Sequence, residues 1–200
     1  VTTAPGKAST EMGGKGVTAS ANRSTAMGNQ TTASGTNSTA MGSVTEAATD
    51  VSLSIGRYND ANTSDDNTLL VAGNGFSNSN RSDALVLDQN GNLEISGTLT
   101  ENSDRRLKEQ IQPLGSGVLG NLGEIEPVRF RFKDERTHPS GTQIGLIAQE
   151  VQAQFPALVS EAANGHLSVS YSKFTSVLLK GLQEQQALQQ DRRELRVGNG

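Results

Sequence analysis

Apolar residues follow three different rhythms along the chain, and each rhythm predicts a different structure. In residues 1–56 "STAMG" occurs at 24–28 and again at 38–42, with "STEMG" at 9–13 and "SLSIG" at 52–56 in the neighbouring units. Between them lie "TTAPG" (2–6), "VTASA" (17–21) and "TTASG" (31–35). Glycine or a small residue thus recurs about every seven residues, at Gly6, Gly13, Ala21, Gly28, Gly35, Gly42, Thr49 and Gly56. The position before it alternates between small residues (Pro5, Ser20, Ser34, Ala48) and larger ones (Met12, Met27, Met41, Ile55). A heptad invites a coiled coil, but Thr, Ser, Gly and Asn are poor helix formers and no leucine occupies core spacing. A short strand followed by a glycine turn fits better, with two strands to each coil of a β-solenoid. One such coil buries too little to stand alone, so coils must stack and chains associate. Met12, Met27, Met41 and Ile55 are expected to fill an inner row. A disordered Ser/Thr-rich stalk is the alternative reading of the same composition.

Residues 57–102 keep the β character without the repeat. "NTLLVAGNG" (67–75) and "DALVLDQNGNLEISGTLT" (83–100) are rich in β-type residues. Asn90–Gly91 between Ala84–Asp88 and Asn92–Ser96 is a hairpin signal, because tight primed turns need positive φ at both central residues. The segment reads as a β connector of a fibre.

From residue 103 the pattern becomes that of an ordinary α+β domain, 103–200. "DRRLKEQIQPL" predicts a short helix or helical turn, and Val118, Leu119, Leu122 and Ile125 stand at near-helical spacing. "EPVRFRFK" predicts a strand with Arg129, Arg131 and Lys133 on one face and Phe130 and Phe132 on the other. "IGLIAQEVQAQF" begins as a strand and becomes a helix that ends before Pro156. Two short strands flank Asn164–Gly165. A helix is predicted over 172–196, with Tyr171, Phe174, Leu178, Gly181, Gln185, Leu188, Arg192 and Leu195 alternately three and four apart. That spacing is a coiled-coil seam; for its first half, packing on its own domain is an equal alternative.

Composition narrows the function classes. The chain has 200 residues, 33% hydrophobic and 4% aromatic, with 22 glycines and no cysteine. Disulfides and thiolate metal sites are therefore excluded. No apolar run approaches the length of a membrane-spanning helix, and Val1 reads as an interior start of a longer chain. Residues 1–102 carry five Lys/Arg against ten Asp/Glu and residues 103–200 twelve against eleven, so there is no basic footprint for nucleic acid. No cofactor motif, phosphate loop or metal-ligand cluster is present. His138 and His166 read as surface residues in turns, and Lys173 and Lys180 as exposed helix charges.

One pair of residues carries candidate chemistry. Ser103 stands five residues before Lys108, where the two halves meet. Serine needs a base before it is a useful nucleophile. Lysine serves as that base only when burial or neighbouring cations bring its pKa well below the ordinary ~10.4, and Arg105 and Arg106 are the nearby cations. The bland alternative is a helix start capped by Ser103 and Asp104, with Lys108 a solvated charge.

Residues 1–56 resemble the head repeat of trimeric autotransporter adhesins, a left-handed β-roll of three chains. "SDRRLKEQIQPL" (103–114), "IEPVRFRFK" (125–133), "IGLIAQEVQAQFPALV" (144–159) and "LSVSYSKFTSVLLKGLQE" (167–184) occur in the order of another family. They resemble the intramolecular chaperone auto-processing domain found in phage endosialidases, tail fibres and neck appendages and in the myelin regulatory factor. The resemblances imply an all-β N-terminal part, a trimeric β-roll (1–56) with a β connector (57–102), and an α+β chaperone domain ending in a coiled-coil-type helix. They imply a homotrimer in which the domain helps the upstream fibre of its own chain to fold and then cuts itself off. Ser103 would be the nucleophile, Lys108 the base and Asn102–Ser103 the scissile bond, with Gln149 and Glu150 as possible active-site neighbours. A single self-cleavage without cofactor or metal is expected, and no activity on external substrates. A phage virion fibre or a bacterial cell surface is the implied location, and any host- or cell-surface receptor would be met through regions outside this sequence. Nucleic-acid binding and membrane insertion are not expected. The alternative is a trimeric adhesive stalk whose C-terminal domain caps without cutting.

Overall fold

The computed structural model describes residues 6–60, 67–135 and 138–197. By internal contacts the chain divides into two compact units: Val1–Asn102 with Phe132–Ser140, and Ser103–Arg131 with Gly141–Gly200. Most of the "TTAPG" unit, including Pro5, lies outside the described residues.

The first unit is a β-solenoid. Long strands β1 (Thr10–Gly13), β3 (Thr25–Asn29), β5 (Thr39–Ser43) and β7 (Leu53–Arg57) alternate with two-residue strands β2 (Thr18–Ala19), β4 (Thr32–Ala33) and β6 (Glu46–Ala47). Like stacks on like: Thr25, Ala26, Met27 and Gly28 pair in parallel with Thr39, Ala40, Met41 and Gly42, an offset of fourteen residues. β1 pairs with β3 one residue further apart, which accommodates the extra residue after "STEMG". The long sheet continues through β8 (Thr68–Asn74) and then turns antiparallel into β9 (Asp83–Asp88) and β10 (Leu93–Ile95). β9 and β10 are the hairpin predicted around Asn90–Gly91, and Gly91 has φ 82°.

Side-chain size decides which residues face inward. The buried row is Val17, Ala19, Ala26, Ala33, Ala40 and Ala47. This corrects the expected inner row: Met12 (55% exposed), Met41 (39%) and Ile55 (38%) point outward. Adjacent strand residues face opposite sides, and the narrow interior is filled by small side chains, mostly alanine. The turns also differ from expectation. Gly28 and Gly42 lie within strands, with φ 123° and 127°. A Cβ on Gly28 would stand 2.0 Å from the Gly42 carbonyl oxygen of the next coil. The corners are made instead by left-handed non-glycine residues: Arg23, Asn37 and Val51 on one side, Gln30, Val44 and Tyr58 on the other. Each donates its N–H to a carbonyl of the preceding coil, as Val44 does to Asn29 (2.8 Å) and Val51 to Thr36 (2.8 Å). Such a conformation costs on the order of 1–3 kcal/mol per residue, and these hydrogen bonds oppose that cost. Asn59, 1% exposed, closes the short sheet. Its side chain accepts from the Glu46 N–H (2.7 Å) and donates to the Glu46 carbonyl (2.9 Å), as a further strand would.

The second unit has a separate core of larger side chains: Val118, Ile125, Val151, Leu158, Phe174 and Val177. α1 (Val118–Gly123) carries the predicted helical spacing, and β11 (Val128–Phe130) pairs antiparallel with β12 (Gln143–Gly145). α2 (Ala148–Gln154) ends before Pro156, and β13 (Val159–Glu161) and β14 (Leu167–Val169) form the hairpin around Asn164–Gly165. The predicted strand over 126–133 shortens to β11, although its exposure alternates through Lys133. In Phe132–Ser140, which groups with the first unit, the Phe132 ring stacks on His138, centroids 4.5 Å apart; His138 there and His166 in the second unit are both exposed, as expected.

α3 (Tyr171–Val197) divides in function along its length. Phe174, Val177 and Gly181 bury its first half against its own domain, where Leu122 closes over Gly181. Leu188 (56%) and Leu195 (68%) in the second half are exposed.

Candidate active site at the Ser103 junction

The site forms because, of the short helix or helical turn expected after Ser103, the chain makes a single turn. Arg105–Leu107 is a single 3-10 turn, and Lys108 returns to extended backbone (φ −121°, ψ 142°). A continuing α-helix would place residues five apart on different faces. Here the chain bends once and then straightens, and the lysine reaches back. Lys108 Nζ donates to Ser103 Oγ at 2.7 Å.

Capping falls to Asp104 rather than Ser103. Asp104 Oδ1 accepts from the Arg106 N–H at 2.8 Å. Both its carboxylate oxygens also accept from the Arg106 guanidinium. These bonds to the Arg106 side chain and N–H, with the charge of Lys108 beside them, hold Asp104 below the usual carboxylate range. The same pair raises the Arg106 guanidinium above its ordinary value. Two consequences follow. The Ser103 hydroxyl is left to Lys108, and the Arg106 cation is paired rather than set against Lys108. Ser103 and Lys108 are both exposed in the single chain.

Asn102, Ser103 and Lys108 come together through local backbone. Gln149 is exposed on the first turn of α2, and Glu150 Oε2 accepts from the Glu126 N–H at 3.3 Å. Among the described residues neither is hydrogen-bonded to Ser103 or Lys108. Two residues position this domain in ways the sequence reading did not anticipate: Tyr171, expected only as a seam position, and Glu184, expected in no role. Tyr171 Oη accepts from the Leu146 N–H (3.1 Å), tying "GLIAQE" to the start of α3. Glu184 accepts from the Leu119 N–H (2.9 Å) at the start of α1, which lacks a capping side chain of its own. That bond is the main reason its carboxyl lies below the ordinary glutamate value. Glu184 carried no signal, since its partner lies 65 positions away. Asp104 did carry one, as an acidic residue directly before a turn. Among the described residues there is no cluster of metal-ligating side chains, and no helix is long and apolar enough to cross a membrane.

With this geometry in place, comparison with known families gives the class of each part. Residues 103–160 match the peptidase family described as chaperone of endosialidase. Residues 19–44 match two copies of the YadA head domain repeat. These matches fall on the two parts of the chain for which the residues themselves carry the same two resemblances. The matched families support a chaperone or fibre role and suggest a phage or cell-surface protein; the first implies a self-cleaving peptidase.

Proposed function

We propose that the region from Ser103 onward is a trimerisation and folding template for the β-structured chain before it, released by autoproteolysis at Asn102–Ser103. The observation that carries this reading is the 2.7 Å contact between Lys108 Nζ and Ser103 Oγ, at the bond where the two compact units divide. With the amine neutral, Lys108 accepts the Ser103 Oγ proton and Oγ attacks the Asn102 carbonyl carbon. As the C–N bond breaks, Lys108 returns the proton to the Ser103 nitrogen. The result is an ester between Asn102 and the Ser103 side chain, whose opening separates the fragments.

Homotrimer formation belongs to the same proposal. Met12, Met27, Met41 and Ile55 stack in register on an exposed sheet face, an apolar ladder suited to further copies of the chain. The exposed leucines late in α3 fit a seam between three helices. Trimerised templates raise the local concentration of the upstream chains and align their registers. Removing the template afterwards leaves a fibre that is slow to unfold. Association would also shield the exposed dyad from water, so that cutting follows correct assembly. A virion fibre or bacterial cell surface is the setting that fits, with receptor contacts made by regions outside this sequence. Gln149 and Glu150 enter the proposal as active-site neighbours on the strength of the family resemblance alone.

A non-cutting adhesive stalk is the second reading, favoured by the exposure of Ser103 and Lys108 in the single chain. Denaturing electrophoresis with intact-mass analysis separates the two. Cleavage gives fragments ending at Asn102 and beginning at Ser103, and Ser103→Ala or Lys108→Ala leaves one full-length chain that still trimerises. An uncut wild-type trimer would reject autoproteolysis and keep the stalk.

A further inference from the structure

The residue on the acyl side of the proposed cut is an asparagine, and its side chain is itself a nucleophile within reach of the same carbonyl. Asn102 is exposed on irregular backbone, outside every strand and helix. Among the described residues its carboxamide makes no hydrogen bond, and neither does the backbone at the Asn102–Ser103 peptide. The carboxylate beside it, Asp104, has both oxygens hydrogen-bonded to Arg106.

We infer that Asn102 resolves the ester by cyclisation, so that the upstream fragment is released as a C-terminal aminosuccinimide rather than by direct hydrolysis. This rests on the Ser103–Lys108 reading above. In the step, Asn102 Nδ2 attacks its own main-chain carbonyl carbon and forms a five-membered imide. The bond from that carbon to Ser103 Oγ breaks. Nδ2 loses a proton, and the Ser103 oxygen gains one. No water is consumed, and the downstream fragment leaves with a free amino group on Ser103. The amide is a weak nucleophile, but its attachment to the reacting carbonyl compensates: effective molarities of well-oriented intramolecular reactions reach about 10⁵–10⁸ M. Water later opens the imide at either carbonyl, giving C-terminal asparagine or isoasparagine. Ring closure depends only on covalent connection within residue 102, so it needs no particular placement of the two units.

Time-resolved intact-mass analysis of the full chain tests this. The earliest upstream fragment is expected to be lighter by one water than the hydrolytic acid, and to convert later into a mixture containing isoasparagine. Asn102→Ala is expected to give only the acid, to slow release on the order of tenfold through loss of the intramolecular nucleophile, and to accumulate an ester that hydroxylamine traps as a hydroxamate. A wild-type fragment that appears as the acid from the first time point, with Asn102→Ala cutting at the same rate, would overturn cyclisation and leave the dyad standing. Absence of cutting in the wild type, or cutting that survives Ser103→Ala, would overturn the dyad and cyclisation with it.

Discussion

The two units are held together by different means. The solenoid buries a row of alanines and one valine, so its stability lies in backbone stacking from coil to coil. The second unit buries a phenylalanine, a leucine, an isoleucine and three valines around three helices and two small sheets. A close-packed core loses stability when atoms are removed, whereas a stacked backbone loses it when atoms are added between layers. The two regions should therefore fail to opposite kinds of substitution.

The largest effect expected is from Gly28→Val. The new side chain meets the backbone of the next coil, at a φ that valine rarely adopts. A loss of more than about 4 kcal/mol is expected, confined to the coils around β3, with hydrogen exchange rising there while the second core stays protected. Equal exchange in both units would break the contrast. Phe174→Ala removes atoms instead, and should lower the second unit's stability by about 3–5 kcal/mol with the solenoid's exchange unchanged. Asn59→Ala leaves the Glu46 N–H and carbonyl without their partner. It should cost about 1–3 kcal/mol and expose the end of the short sheet to exchange. A smaller change of opposite sign is expected from Val51→Asn. Val51 is 60% exposed and left-handed, φ 62°. Asparagine tolerates that conformation better, and a gain of about 1 kcal/mol in a thermal melt is expected.

The smallest effect should come with pH, in the second unit only. The Glu184 carboxyl is lowered in the folded chain, chiefly by the Leu119 N–H. A depressed acid contributes stability above its unfolded pKa and loses it as pH falls through the folded value. The protection factors of the Val118 and Leu119 amides, corrected for intrinsic exchange, should thus fall as pH drops below the ordinary glutamate value of 4.5, and Glu184→Gln should remove that dependence. A wild-type chain whose α1 protection ignores that range would show that Glu184 does not hold the helix.

Sequence made the repeat, the hairpins and the long helix legible because each rests on local periodicity. It misplaced the methionines because period-two alternation says that neighbours face apart without saying which face is inside. Alanine at 26 and 40 was the better clue, since a narrow interior admits small residues. The corners were hidden for a different reason: Arg23, Val44 and Val51 carry no turn signal, and inter-coil hydrogen bonds hold them left-handed. At the junction, the pairing of Ser103 with Lys108 was legible only through resemblance, because a spacing of five argues against contact on a helix. The 3-10 turn supplies the contact, and Asp104 rather than Ser103 does the capping.

The shared Thr-Ala-Met-Gly of β3 and β5 means that the solenoid has graduations but no scale. Fourteen residues inserted between them would meet the same carbonyls, the same alanines and the same corners, and both ends of the array would be unaware of the addition. Seven would put a long strand where a short one belongs. Length is therefore free to vary in whole coils, and Asn59, which ends the short sheet with a side chain instead of a strand, marks where the counting stops.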